Sequence, residues 1–284
     1  MRIVNTNGRL GVLADGGVLD VATASGGRFG PGVQGVYDDW TSFRAWASEA
    51  HTGAELVALD EAALGAPAPE PRQVFAIGLN YLDHAEEAAM EIPTDGMVVF
   101  TKFPTSITGP CADVEVPPGS VDFEAELVVV IGRRAYRVSA ADAWDHVAGV
   151  TVGQDISERE LQLRPPTPQF NLGKSFPGFS PLGPCLVSPD ELADPDDLEI
   201  GCSLNGAQMQ RSRTKHMIFP VAEIVARLSA TLPLLPGDVI FTGTPAGIGW
   251  ARDPKVLIQP GDELVTTIEC IGSMRHHFVP QEPV

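Results

Sequence analysis

The segment Asp122-Phe123-Glu124-Ala125-Glu126 runs directly into Leu127-Val128-Val129-Val130-Ile131-Gly132. Five consecutive aliphatic residues read as a strand covered on both faces, since a half-solvated strand would alternate with polar residues. Strand side chains alternate, so Glu124 and Glu126 point to the same side of the sheet. Two like charges beside an apolar core are costly without a compensating cation. A divalent metal compensates both, and hard ions such as Mg²⁺ take oxygen ligands. The plain alternative is a pair of solvated glutamates at a fraying strand end, and the rest of the chain has to decide between them.

At 284 residues and 44% hydrophobic, the chain can build a sizeable core and fits one large domain, or a large one with a small companion. Its net charge of −18 argues against nucleic acid or an anionic membrane surface as partner. An anionic substrate would need a metal or local Arg and Lys to hold it. Cys111, Cys185, Cys202 and Cys270 form no Cys-x-x-Cys pair. They read as reduced thiols, and with no apolar leader or spanning stretch the expected setting is cytoplasmic. Four lysines, Lys102, Lys174, Lys215 and Lys255, stand against fifteen arginines. A lysine kept against that bias is a candidate for a lysine-specific task.

Residues 1–65 read as short strands and turns followed by a helix over Asp39 to Glu49, with Trp40, Phe43 and Trp46 on one face as core packing. The Pro/Ala-rich stretch Leu64 to Pro71 marks a boundary, dividing a small N-terminal domain (1–65) from a larger one (72–284). Beyond it, Gln73 to Gly78, Met97 to Phe100 and Val147 to Gly153 read as strands. Tyr81 to Met90 and Ala140 to His146 read as helices. Pro236-Gly237-Asp238 and Pro260-Gly261-Asp262 are turn signals ahead of strands. The pattern is strand-dominated and lacks regular βαβ alternation.

Asp155, at the end of an apolar run, is the natural third carboxylate of an oxygen-ligand site, although Asp at a strand end is also ordinary architecture. On a helix, Glu87 lies beside His84, three residues earlier. A carboxylate against an imidazole suits a general base that activates water; a casual surface ion pair has the same spacing. Lys174 sits in the apolar, Gly-flanked stretch Leu172-Gly173-Lys174-Ser175-Phe176, placed to hold a carboxylate or deliver a proton. The Gly-rich segment Thr242 to Gly249 offers backbone N–H groups, with Thr244, that could cradle a carboxylate. It has neither a P-loop nor a dinucleotide fingerprint, and no Gly-x-Ser-x-Gly elbow occurs in the chain. His276 and His277 are adjacent on a strand and face opposite ways, poor geometry for shared ligation.

Taken in order, Gly78-Leu79-Asn80-Tyr81-Leu82-Asp83-His84, Phe100-Thr101-Lys102, Asp122-Phe123-Glu124-Ala125-Glu126-Leu127, Gln154 to Gln162, Gly173-Lys174-Ser175-Phe176 and Thr242-Gly243-Thr244-Pro245 resemble the fumarylacetoacetate hydrolase superfamily. The resemblance implies a mostly β (α+β) fold, a mixed β-sandwich roll with a small N-terminal domain, and a homodimer. It implies Mg²⁺ or Mn²⁺ on Glu124, Glu126 and Asp155, a water-activating pair in His84 and Glu87, and an assisting Lys174. It also places Tyr81, Lys102, Arg159, Gln162 and Thr244 around a 2-oxo acid substrate. One departure is Pro177, where many members have Asp after Lys-Ser-Phe.

The activity first expected is therefore metal-dependent hydrolysis of a C–C bond in an acylpyruvate or related β-diketo acid. The same site would serve decarboxylation or isomerisation of a 2-oxo diacid, as in oxaloacetate or homoprotocatechuate chemistry. A sugar-acid dehydratase or lyase, or a non-catalytic metal binder, are the remaining expectations.

Overall fold

The aliphatic run around Val129 lies inside an eleven-stranded mixed sheet, counted among the described residues. The computed structural model describes residues 1–50, 55–87 and 96–282. Its main strands are β1 (Arg2–Thr6), β2 (Arg9–Ala14), β3 (Gly17–Asp20), β4 (Val74–Gly78), β5 (Val98–Thr101), β6 (Val114–Val116) and β7 (Ala125–Ile131). They continue with β8 (Val147–Gln154), β9 (Ser180–Val187), β10 (Glu199–Leu204), β11 (Ala207–Arg213), β12 (Val239–Phe241), β13 (Glu263–Ile268) and β14 (Gly272–Pro280). The large sheet runs β3-β2-β1-β9-β8-β7-β12-β4-β5 with two short strands alongside, and a five-stranded sheet runs β11-β10-β13-β14-β6.

Alternation along β7 sorts its side chains into two cores. Leu127, Val129 and Ile131 pack toward the second sheet with Ile200, Leu264 and Phe278. Val128 and Val130 pack on the opposite face with Leu10, Phe43 and Phe241. Every residue of β7 is buried, as its unbroken hydrophobicity requires. The two sheets thus stack in a sandwich, and the mostly β expectation holds.

The N-terminal strands join the large sheet directly: Arg2 and Ile3 pair antiparallel with Val187 and Leu186 of β9. The helix expected over 39–49 is α1 (Trp40–Ala47), with the Asp39 carboxylate accepting from the Ser42 N–H at 3.4 Å as its N-cap. Phe43 is fully buried, Trp40 nearly so, and Trp46 half-buried. The segment Ala140–His146 is a 3₁₀ helix that buries Ala143 and His146, three residues apart, the spacing such a helix aligns.

Both Pro-Gly-Asp turns sit where expected. Gly237 and Gly261 take φ of +83° and +97°, and Val239 and Glu263 open the following strands. The helix predicted from Tyr81 is α2 (Leu82–Glu87), and positions 88–90 lie outside the described residues. His276 is buried and His277 exposed, the opposite facing that adjacency on a strand dictates. Among the described residues no helix is long and apolar enough to cross a membrane.

Candidate metal centre and its cavity

Strand parity brings Glu124 and Glu126 to one side of β7, on the face opposite the second sheet. Asp155 follows β8 and is tied in by its own N–H, which donates to the Glu124 carbonyl at 2.9 Å. The three residues offer carboxylate oxygens within 4.8 Å of one another, and all three are buried. Burial, then the nearby Asp155 and Glu124, push the Glu126 carboxyl well above the usual range. Three hard oxygen donors crowded in this way fit a divalent ion such as Mg²⁺ or Mn²⁺, which would relieve the repulsion.

The cations arranged around the trio do different work. Lys174 donates to Glu124 Oε2 at 2.9 Å, Asp155 Oδ2 at 2.6 Å and Ser157 Oγ at 2.8 Å. Burial opposes its charge, but Asp155 and Glu124 overcome that and raise its pKa. Lys102 lies beneath Asp155 at 1% exposure and donates to Asp155 Oδ1 and to the carbonyls of Lys174 and Phe179. Burial lowers its pKa despite Asp155. Its three protons are all committed, and it does not line the cavity described below.

Arg159, in the helical turn α3 (Arg159–Gln162), donates through Nε and Nη2 to Asp122 Oδ2 at 2.9 and 2.6 Å. Nη2 also reaches Glu124 Oε1 at 2.7 Å, and Nη1 reaches Gln162 Oε1 at 2.9 Å. Burial works against ionisation of Glu124, yet Lys174 and Arg159 hold it well below the usual carboxylate range.

His84 Nδ1 stands 2.9 Å from Glu87 Oε1, within α2, as the spacing of three predicts. Its other ring nitrogen makes no hydrogen bond among the described residues. The start of α2 is fixed by Asn80, whose side-chain amide donates to the carbonyls of Phe219 and Thr242 and accepts from the Phe219 N–H.

The Gly-rich loop after β12 does not cradle an outside carboxylate with all of its N–H groups; it grips the protein's own. Gly243 N–H donates to Glu126 Oε2 at 2.7 Å and Gly247 N–H to Glu87 Oε2 at 2.9 Å. Gly249 and Trp250 N–H donate to the two oxygens of Asp122 at 2.8 and 3.0 Å. Gly247 has φ +104°, and a Cβ there would lie 2.4 Å from the Met209 carbonyl, so the turn that aims its N–H at Glu87 requires glycine. Thr244 Oγ1 donates to the Ala125 carbonyl and accepts from Gln210 Nε2.

A cavity of about 410 Å³ opens over these groups. His84, Glu87, Glu124, Glu126, Arg159, Gln162, Lys174 and Thr244, eight of the residues expected from the sequence to form the site, border this one space. Gln162 spends its carbonyl on Arg159, and its amide N–H₂ makes no hydrogen bond among the described residues. Tyr81, expected around the substrate, is fully buried behind this wall with its hydroxyl lacking a partner among the described residues. Pro177 is exposed and leaves the contacts of Lys174 with Glu124, Asp155 and Ser157 in place.

Sequence reasoning missed Asp122 and Gln210. Asp122 shares the parity of Glu124 and Glu126 and is fully buried, so alternation carried one step further points to it. Gln210, on β11, also accepts from the Ala125 N–H and donates to the Pro245 carbonyl, fastening the loop to β7.

Residues 73–279 match the family model "Fumarylacetoacetate (FAA) hydrolase C-terminal". The chain belongs to the fumarylacetoacetate hydrolase family. Family members similar to it include human mitochondrial oxaloacetate tautomerase FAHD2A, 44% identical over 73% of this chain and 66% of that protein. The chain thus spans just under two thirds of the length of that relative. A Dictyostelium discoideum homologue of fumarylacetoacetate hydrolase domain-containing protein 2 is 39% identical over 94% of this chain and 91% of its own. Among solved structures, a Mycobacterium smegmatis protein provisionally designated HpcE superposes with TM-score 0.93 at 52% identity, covering 99% and 100% of the two chains. Maleylpyruvate hydrolase from Sphingobium sp. SYK-6, solved with manganese(II) and pyruvate, gives TM-score 0.82 at 26% identity over 99% and 100%. This family member is therefore an enzyme with a buried acidic metal site.

Proposed function

We propose that this chain is a Mg²⁺- or Mn²⁺-dependent enzyme that moves a proton at the carbon beside the keto group of a 2-oxo acid, interconverting keto and enol forms. The observation that carries this reading is a single cavity bordered both by Glu124 and Glu126 and by the paired His84 and Glu87. The oxaloacetate tautomerase relatives support it and make oxaloacetate the first substrate to test. They favour proton relocation over the C–C hydrolysis that the sequence led us to expect first.

Glu124, Glu126 and Asp155 would hold the ion, which when bound supplies Lewis-acid polarisation of the keto group. With Nδ1–H donated to Glu87, the neutral imidazole of His84 presents Nε2 as a proton acceptor. Toward the enol it takes the proton from the carbon beside the keto group and passes it to the keto oxygen; toward the keto form it takes the enol O–H proton and delivers it to that carbon. Glu87 stays in place through its bond to Gly247 N–H and stabilises the imidazolium that forms. The free amide N–H₂ of Gln162 orients a substrate oxygen, while Lys174 and Arg159 hold Glu124 in its ionised form.

A second reading, hydrolysis of an acylpyruvate, uses the same pair to take a proton from water and is supported by the similarity to maleylpyruvate hydrolase. Decay of freshly dissolved enol-oxaloacetate, followed by ultraviolet absorbance with Mn²⁺ or with EDTA, separates the two when run beside an acylpyruvate panel with product masses. Metal-dependent enol loss with no carbon released supports the tautomerase. Pyruvate plus a free acid from acylpyruvates, with oxaloacetate decaying at the buffer rate, would replace it with the hydrolase. A homodimer, implied by the resemblance, is checked by sedimentation of the metal-loaded protein.

A further inference from the structure

We infer that the part of the substrate beyond its 2-oxo acid head is apolar and uncharged, so that the preferred substrate is larger than oxaloacetate and lacks a second carboxylate. This rests on the 2-oxo acid reading above and fixes its substrate class. The cavity, about 410 Å³, falls in the range that encloses ligands well beyond a four-carbon acid, roughly 300–1,000 Å³. Away from the carboxylates its wall is Leu79, Val98, Phe100, Leu163, Phe170 and Trp250. Phe100 joins the two ends. Lys174 Nζ stands 5.1 Å from its ring centroid, and the Phe170 ring meets it edge-on at 5.5 Å. The apolar wall therefore begins where the charged floor stops.

A distal carboxylate in this space would need its own cation. Among the described residues, the Arg and Lys that border the cavity are Arg159 and Lys174, and both are committed to Asp122, Glu124, Gln162, Asp155 and Ser157. Of the neighbouring cations, Arg252 donates to the carbonyls of Met209 and Gly247. Lys255 Nζ stacks 3.0 Å from the centroid of the Trp250 ring. Neither it nor Arg164 borders the cavity. The sequence from Leu79 to Thr101 contains no Lys or Arg. An alkyl or aryl tail meets none of these objections, and each methylene it buries strengthens binding roughly 4-fold.

The test is a calorimetric affinity ladder on the full-length, Mn²⁺-loaded protein with pyruvate, 2-oxohexanoate, 4-phenyl-2-oxobutanoate and 2-oxoglutarate. Affinity should rise at least 10-fold from pyruvate to the alkyl and phenyl acids, and 2-oxoglutarate should bind at least 10-fold more weakly than 2-oxohexanoate. Leu163→Arg should reverse that order, and the double variant Arg164→Gln/Lys255→Gln should leave it unchanged. Tightest binding of 2-oxoglutarate by the wild type, or no gain over pyruvate for any tail, overturns the inference. If the double variant abolishes a 2-oxoglutarate preference, the distal end belongs to those two cations. The ladder needs no turnover: a protein that follows it yet leaves enol-oxaloacetate untouched keeps this pocket and loses the tautomerase reading. One that tautomerises oxaloacetate with the ladder inverted does the reverse.

Discussion

The aromatic cluster of residues 29–46 and the carboxylate centre lie on the same face of the large sheet, yet they are held together by opposite means. In the first, Phe29, Tyr37, Trp40, Phe43 and Trp46 meet ring to ring at centroid distances of 5.4 to 6.0 Å, and one hydroxyl, that of Tyr37, finds the Pro67 carbonyl. In the second, Asp122, Glu124, Glu126 and Asp155 are buried against Lys102, Arg159 and Lys174. Apolar packing gains from every atom it removes from water. A buried charge cluster breaks even only when every partner is present. The first region should therefore govern stability and the second function, and substitutions can pull the two apart.

The largest effect should follow Glu126→Gln. Loss of one of three ligand carboxylate charges should abolish tight Mn²⁺ binding and cut turnover on the order of 10³-fold or more. The same change removes one of the crowded carboxylates, so the metal-free variant should melt a few degrees higher than wild type. Calorimetry with and without EDTA checks both halves. A lower melting point would show that this carboxylate supports the fold and blur the contrast.

His84→Ala comes next, with kcat reduced roughly 10²–10⁴-fold while Mn²⁺ affinity stays near wild type. Unchanged turnover would remove His84 from the chemistry. Phe43→Ala should cost about 3–5 kcal/mol in denaturant unfolding and leave kcat per folded molecule unaltered. A drop in kcat would instead tie the aromatic cluster to the site.

The smallest effect concerns His276, outside both regions. Burial, with His277 nearby, lowers its pKa to about 4 although Nε2 donates to the Gly109 carbonyl at 3.0 Å. The unfolded chain holds the proton more tightly, so the neutral ring's contribution is complete above the ordinary value of 6.5 and is lost as pH falls toward about 4. At 1.36 kcal/mol per unit this is about 3 kcal/mol. His276→Gln should flatten the acid limb of stability against pH, and an unchanged limb would assign it to other groups.

Much of the site was legible because it rests on local periodicity. Parity in a strand paired Glu124 with Glu126, and helical spacing paired His84 with Glu87. What stayed hidden depends on partners far along the chain. The pairing of Ile3 with Leu186, and the parallel register of Val239 with Val74, are set by sheet assembly, which no short window encodes. Lys102 had been expected around the substrate, but only the fold shows its ammonium consumed beneath Asp155. The Gly-rich loop looked like an empty cradle because the carboxylates that fill it, Glu87 from α2 and Asp122 and Glu126 from the entry to β7, arrive from two other segments. The aromatic face of α1 was plain from its spacing, since packing there asks only for shape and apolarity.

The loop after β12 has a bearing on how such an enzyme can be changed. Its N–H groups meet the proton-transfer pair, the ion-binding carboxylates and the anchor of Arg159. An insertion or deletion between Gly243 and Trp250 would therefore disturb all three together, leaving no gradual route through altered loops. Leu163 and Phe170 answer to no such network and can be exchanged one at a time. New specificities should be reached by rebuilding the wall, with the loop inherited whole.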